Sequence, residues 1–165
     1  MWSIVAAAAY PSRVIGRSGK LPWRISLELR LFRELTWGGI LVMGRRTWES
    51  ITSPLPGREI WLLSRQMTEF PHGRIFATPS ELVKALANQS KPVFFAGGEM
   101  IFRWAIGIPE VQRLYLTWIF IHTEGDTTFP AISEEEWQPY AWEYFYEGCI
   151  SFTRVEYHRQ KQALQ

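Results

Sequence analysis

Residues 40–51 read ILVMGRRTWESI, and the fold turns on how they are parsed. Ile40 to Met43 form an apolar run of strand length, Gly44 breaks it, and Arg45, Arg46 and Thr47 open a helical stretch near 45–51. A strand that feeds straight into a helix is half of a β/α unit, and the same alternation recurs on both sides. Upstream lie a strand-like SIVAAAA (3–9) and a helix from about Ile25. Downstream come EIWLLS (59–64), RIFA (74–77), a helix near 79–87 opened by Pro79, Ser80 and Glu81, PVFFA (92–96), a helix near 98–105, and RLYLTWIFI (113–121). This order predicts a largely parallel sheet covered by helices. YAWEYFYE (140–147) and CISFTRVEYH (149–158), joined at Gly148, instead predict a tight antiparallel hairpin.

Composition bounds the rest. The 165 residues suit one domain, and a 47% hydrophobic, 21% charged chain is globular in character. A net charge of +2 without a basic run argues against nucleic acid, and the nine Trp are scattered, as packing residues are. The single cysteine, Cys149, permits no internal disulfide, and no His/Cys cluster has metal-ligand spacing. MWSIVAAAAY at the start lacks the basic flank of a secretory signal, and no stretch has the length of a membrane span. A cytoplasmic setting is the expectation.

In a parallel sheet, ligands bind beyond the carboxyl ends of the strands. Three such ends carry phosphate chemistry: Gly44 with Arg45, Arg46 and Thr47; Gly97-Gly98 in FFAGGEMIF; and Ser64-Arg65 in LLSRQ. Each alone is also compatible with a plain turn and solvated side chains. A fourth feature lies in LPWRISLELRLF (21–32). A helical period places Ile25, Leu29, Phe32 and Leu35 on one stripe with Glu28 among them, and Arg30, Arg33 and Glu34 opposite. A carboxylate on a buried stripe needs a partner, a shifted pKa or a ligand; periodicity alone leaves an ion pair and a ligand contact both open.

Taken in order, RVIGRSGKLPW (13–23), LELRLFRELT (27–36), VMGRRTWESI (42–51), PLPGREIWLLSR (54–65), AGGEMIF (96–102), LYLTWI (114–119) and EGDTTFP (124–130) resemble the dihydrofolate reductases. The resemblance implies one α/β domain over residues 1–165, three layers deep, with a mostly parallel eight-stranded sheet, a C-terminal antiparallel hairpin and helices on both faces. It implies a monomer that reduces 7,8-dihydrofolate with NADPH, by hydride transfer to C6 and protonation at N5. Glu28 matches the carboxylate that accepts the pterin 2-amino and N3 protons. Thr117 matches a threonine linked to it through water, and Trp23 a tryptophan near it. Val5, Ala6, Ala7, Leu29, Phe32, Ile51 and Leu55 match the apolar pterin and benzoyl walls, and Arg58 the arginine holding the glutamate tail.

For the cofactor, the resemblance implies a phosphate cradle of Gly44, Arg45, Arg46 and Thr47, and a 2′-phosphate site at Leu63, Ser64 and Arg65. Ala7, Ile15, Gly16 and Leu21 would line the nicotinamide side. So would the segment Ala96, Gly97, Gly98, Glu99, Met100, Ile101 and Phe102, with a cis bond between the glycines. Ile15 to Trp23 match a mobile lid, steadied by Asp126. Solvent is the expected proton donor, with Glu28 controlling charge and tautomer, so hydride transfer should quicken at lower pH. The chain departs from the commonest pattern at Ser26, where proline is usual, and at Phe102, where tyrosine is frequent. Ala96 and Val5 imply a roomier pterin pocket, and a short hairpin tip implies altered contacts to the lid. A riboflavin-pathway pyrimidine reductase of related fold and an idle folate- or nucleotide-binding module stand as alternatives. NADPH oxidation with and without dihydrofolate separates the three.

Overall fold

A computed structural model describes residues 1–161; residues 162–165 of the expected domain lie outside the described residues. The chain runs β1 (Trp2–Ala9), β2 (Val14–Gly16), α1 (Ser26–Thr36), β3 (Ile40–Gly44), α2 (Arg45–Ser50), β4 (Glu59–Leu63) and β5 (Gly73–Phe76). It continues through α3 (Pro79–Ala87), β6 (Val93–Phe95), α4 (Glu99–Ala105), β7 (Val111–Ile119), β8 (Thr127–Thr128), β9 (Trp137–Glu147) and β10 (Ile150–Arg159). Eight strands form one sheet in the order β5-β4-β3-β6-β1-β7-β10-β9. Pairing is parallel from β5 to β7, and antiparallel between β7 and β10 and between β10 and β9.

The two-residue period of the strands sorts the core. Ile40 and Val42 pack with Leu82, Leu86, Ile101, Phe102 and Ala105 of α3 and α4. Leu41 and Met43 pack on the other face with Phe32 and Leu35 of α1 and Trp48 of α2. Helices therefore cover both faces, as expected. Adjacent strands β1 and β6 consequently send the chain to helices on opposite faces, α1 and α4. That reversal opens a crevice beyond their carboxyl ends, the place where such sheets take ligands.

Three expectations need correcting. β2 and β8 form a separate ribbon that was not anticipated, because strands of three and two residues are too short to show a period. The hairpin is longer than 140–158: β9 begins at Trp137 and runs through Pro139. Proline argues against a strand interior, but β9 is an edge and its register shifts beside Pro139, the two settings in which a sheet tolerates proline. Finally, Leu29 is not on the buried stripe; it is 49% exposed, while Glu28 and Thr36 are the buried residues of α1. A step of about 100° per residue turns Leu29 away when Glu28 faces the sheet.

Candidate active site

Glu28 reaches the sheet from the first turn of α1 and is 9% exposed. With Val5, Leu31, Phe32, Leu35, Tyr115, Thr117 and Arg154 it lines a cavity of about 10 Å³, room for about one water molecule. Among the described residues no cation lies within ion-pair distance of it. Burial pushes its carboxyl up to about 7, with the Arg154 charge pulling the other way. Thr117, buried on β7, faces the same cavity. The helix that carries Glu28 lacks a side-chain cap of its own. The N–H groups of Ser26 and Leu27 instead donate to Glu147 Oε2 and Oε1 at 2.9 and 3.0 Å. A proline at position 26 would have no such N–H and would leave Glu147 with the Leu27 amide alone.

The apolar wall continues from the cavity. Val5 is buried on β1, and Ile51 and Leu55 pack with Phe32 and Leu35 around Leu41 and Met43. Ala6 and Ala7 are half-buried. Beyond Phe32, Arg58 donates from Nε to the Pro56 carbonyl at 2.9 Å and from Nη1 to Thr36 Oγ1 at 3.3 Å. Its guanidinium stands 5.9 Å from the Phe32 ring centroid. Among the described residues it has no carboxylate partner, so the surface ion pair is not what holds it. Burial, and then the charge of Arg33, lower its pKa.

Across the crevice, β3 and β6 meet where the Gly44 N–H donates to the Gly97 carbonyl at 2.9 Å. The Gly97-Gly98 peptide is cis, and Gly97 has φ of 118°, a region that disfavours any residue with a Cβ. A Cβ at Gly98 would lie 3.0 Å from Thr47 Oγ1, and one at Gly97 3.3 Å from the Phe102 ring. The glycines thus keep the backbone bare between α2 and α4. Arg45 is held by Glu49 at 3.0 Å, whereas Arg46 and Arg65 are exposed and unpaired among the described residues. Ser64 Oγ accepts from the Gln66 and Met67 N–H groups at 3.2 and 3.3 Å, and its own proton is free to donate. Leu63 is half-buried, Ile101 and Phe102 are buried, Ala96 packs on the Leu41 cluster and Met100 is 84% exposed. The Glu99 carboxylate is occupied by Arg103 at 2.9 Å and by Thr128.

The segment 15–23 leads from the β2–β8 ribbon to the start of α1. Ile15 is buried and Gly16 pairs in the ribbon with Thr127, while Leu21 is 52% exposed. The Ser18 N–H donates to Asp126 Oδ2 at 3.0 Å, and the Asp126 N–H to the Gly16 carbonyl at 3.1 Å. Trp23 packs with Ala9, Val14, Ile25, Ile119 and Phe152, and its indole N–H is buried without an acceptor. It is not among the residues around the Glu28 cavity.

Two charged residues at this site were not anticipated, nor were Leu31 and Tyr115 on the cavity wall. Glu147 is found only through the hairpin, which brings it 121 positions along the chain to Ser26. Arg154 had a signal: it lies two residues after the buried Phe152 on β10, hence on the same inward face.

A family model described as dihydrofolate reductase matches residues 1–159. The chain is 33% identical over 157 residues to "Dihydrofolate reductase type A13" of Escherichia coli, covering 94% of this chain and 93% of that one. It is 35% identical over 137 residues to a dihydrofolate reductase of Haemophilus influenzae, covering 83% of each. A solved dihydrofolate reductase from Enterococcus faecalis, complexed with NADP(H) and RAB-propyl, superposes with a TM-score of 0.88. The two are 28% identical, over 98% of this chain and 97% of that one. The buried carboxylate, the bare glycine turn and the unpaired arginines thus stand in a frame matched from end to end, and the chain belongs to the dihydrofolate reductase family.

Proposed function

We propose the following division of labour within the family's reaction, the NADPH-dependent reduction of 7,8-dihydrofolate to 5,6,7,8-tetrahydrofolate. The observation that carries it is Glu28: a buried carboxylate with no ion pair among the described residues, lining a small cavity with Thr117. Its two oxygens accept the parallel N–H pair of the pterin edge. Those bonds stabilise the ionised form and draw the carboxyl down from about 7. Thr117 shares the cavity and supports the carboxylate. Val5, Ala6 and Ala7 form the pterin floor, and Leu29, Phe32, Ile51 and Leu55 take the benzoyl ring. The half-exposed apolar surface of Leu29 is what that ring covers. Arg58, fixed by Pro56 and Thr36, offers its remaining N–H groups to the tail carboxylate.

The residues present fit the cofactor. The bare Gly97-Gly98 backbone, which a Cβ would crowd, admits a flat group alongside it. Arg46, Thr47, Ser64 and Arg65 offer a donor set suited to phosphate monoesters and diesters, which favours NADPH over NADH. When bound, NADPH supplies the hydride. Gly44 and Arg45 complete the phosphate cradle, Leu63 flanks Ser64, and Ala96, Glu99, Met100, Ile101 and Phe102 shape the nicotinamide side. Ile15, Gly16 and Leu21 close from above, held through Asp126. Trp23 belongs to the hinge of that lid, and its unpartnered indole N–H suits a contact made on closure.

The protein's part in the chemistry is orientation and polarisation. A carboxylate on the far edge of the ring cannot reach N5, so Glu28 sets charge and tautomer while solvent gives the N5 proton. Hydride transfer therefore quickens as pH falls. The protein acts as a cytoplasmic monomer of one domain, residues 1–165. Among the described residues no helix is long and apolar enough to cross a membrane and no cluster suits a metal. Loss of NADPH absorbance on adding dihydrofolate tests the function; NADPH oxidation indifferent to dihydrofolate would reject it.

A further inference from the structure

We propose that Arg154 is the built-in counter-charge of Glu28, a positioning residue that approaches the pterin carboxylate from the sheet side. The argument starts from register. Across three strands, Ala7 of β1 stands beside Thr117 of β7, and Thr117 beside Arg154 of β10. Side chains in one such row share a face, here the face covered by α1. Arg154 and Thr117 accordingly line one cavity with Glu28. Arg154 is half-buried, and among the described residues its side chain makes one hydrogen bond, a 3.5 Å contact from Nη1 to the Leu31 carbonyl of α1, one turn after Glu28. It forms no ion pair among the described residues, so its charge is not spent elsewhere.

Other charges near this face do not take its place. Glu156, two residues along β10, is engaged by His158 at 2.6 Å and Arg113 at 3.5 Å. Glu143 of β9 stands opposite Arg154 but is exposed, where an ion pair is weak and screened. Glu147 is bound to the α1 amides. Tyr115 accepts from Arg113 at 3.5 Å. Among the described residues Arg154 is thus the one cation lining the cavity, and its charge is the opposing influence on a carboxyl that burial drives up. A guanidinium held at the distance of a through-space partner, rather than in a bidentate pair, leaves both Glu28 oxygens open to the pterin. It also sets a preference: a neutral ligand edge meets a balanced pair, whereas a protonated 2,4-diaminopyrimidine meets the guanidinium's repulsion.

This inference rests on Glu28 being the pterin carboxylate, and the test separates the two. The ligand-free protein carrying ¹³C-labelled glutamate is titrated by NMR, with Glu28 assigned from the spectrum of Glu28→Gln. Arg154→Leu should raise the Glu28 midpoint by about one pH unit, and Arg154→Lys should restore much of it. Dihydrofolate Kd should then worsen by about fivefold at pH 7 and converge with wild type at pH 9. A cationic 2,4-diaminopyrimidine should gain relative to dihydrofolate. Should Arg154→Leu fail to fold, Arg154→Gln removes the charge while keeping a polar side chain. A Glu28 midpoint unmoved in either folded variant overturns the proposal. A moved midpoint with unmoved dihydrofolate affinity upholds the pairing and removes Glu28 from pterin binding instead.

Discussion

The end of the crevice assigned to the pterin keeps its charges inside: Glu28 is buried and Arg154 half-buried, both against a rigid sheet. The end assigned to the nucleotide phosphates wears them outside, with Arg46 and Arg65 exposed and the backbone bare at Gly97-Gly98. The two arrangements suit different tasks. Hydride transfer tolerates little misplacement of the pterin, and a desolvated charge on a packed helix is a precise, strong and costly way to hold it. A phosphate needs only attraction and donors, which exposed guanidinium groups supply cheaply and weakly. Substitutions should therefore grow milder from the buried end to the exposed one.

The largest effect belongs to Glu28→Gln. Turnover near neutrality should fall on the order of 100- to 1000-fold, and unchanged steady-state kinetics would end the assignment. Stability should move the opposite way. The native Glu28 pKa of about 7 stands above the ordinary 4.5, so between those values the folded state holds more protons than the unfolded chain. Stability of the ligand-free protein therefore falls as pH rises through that window, by on the order of 3 kcal/mol. Glu28→Gln should remove this slope and melt higher at pH 8, the pattern of a residue kept for function at a cost in stability. Thermal melts at pH 5 and pH 8 on both proteins measure it.

Next comes the tail site. Arg58→Leu should raise KM for dihydrofolate about 30- to 100-fold, from the loss of a charge-assisted pair, with kcat nearly preserved. An equal loss in kcat would place Arg58 in the chemistry rather than in binding. At the exposed end, Arg65→Ala should lower the preference for NADPH over NADH by about tenfold at low salt, and by less as ionic strength rises. A salt-independent loss would mean that Arg65 is more desolvated than its exposure indicates. Smallest is Glu147→Ala, which strips the borrowed cap from α1 and should cost about 1 kcal/mol. Ser26→Pro removes one of the same bonds, so the two substitutions should be less than additive in a double-mutant cycle.

How much of this could be read beforehand follows from range. β1, β3 to β7 and all four helices fell within a residue or two of their expected places, because each has an apolar period of its own. Pro79 and the Thr78 cap, which accepts from the Glu81 N–H at 3.2 Å, mark the α3 start locally. The ribbon of β2 and β8 carries no period, and its pairing of Gly16 with Thr127 joins segments over a hundred residues apart. Leu29 was misplaced because a single stripe was drawn through Ile25, which precedes α1 as its N-cap.

At the site the same division holds. The kinds of group were visible in the chain: one carboxylate among apolar neighbours, a glycine pair, and arginines after strands. The sequence by itself determined that such groups follow strands in a β/α order, since local periodicity and turn chemistry act over a few residues. Only the tertiary structure decided which of them share a cavity. The row from Ala7 through Thr117 to Arg154, the Glu147 cap on α1, and the rise of Glu28 to about 7 all arise from strand register and burial. Those are properties of segments brought together from opposite ends of the chain, and no window of sequence contains them.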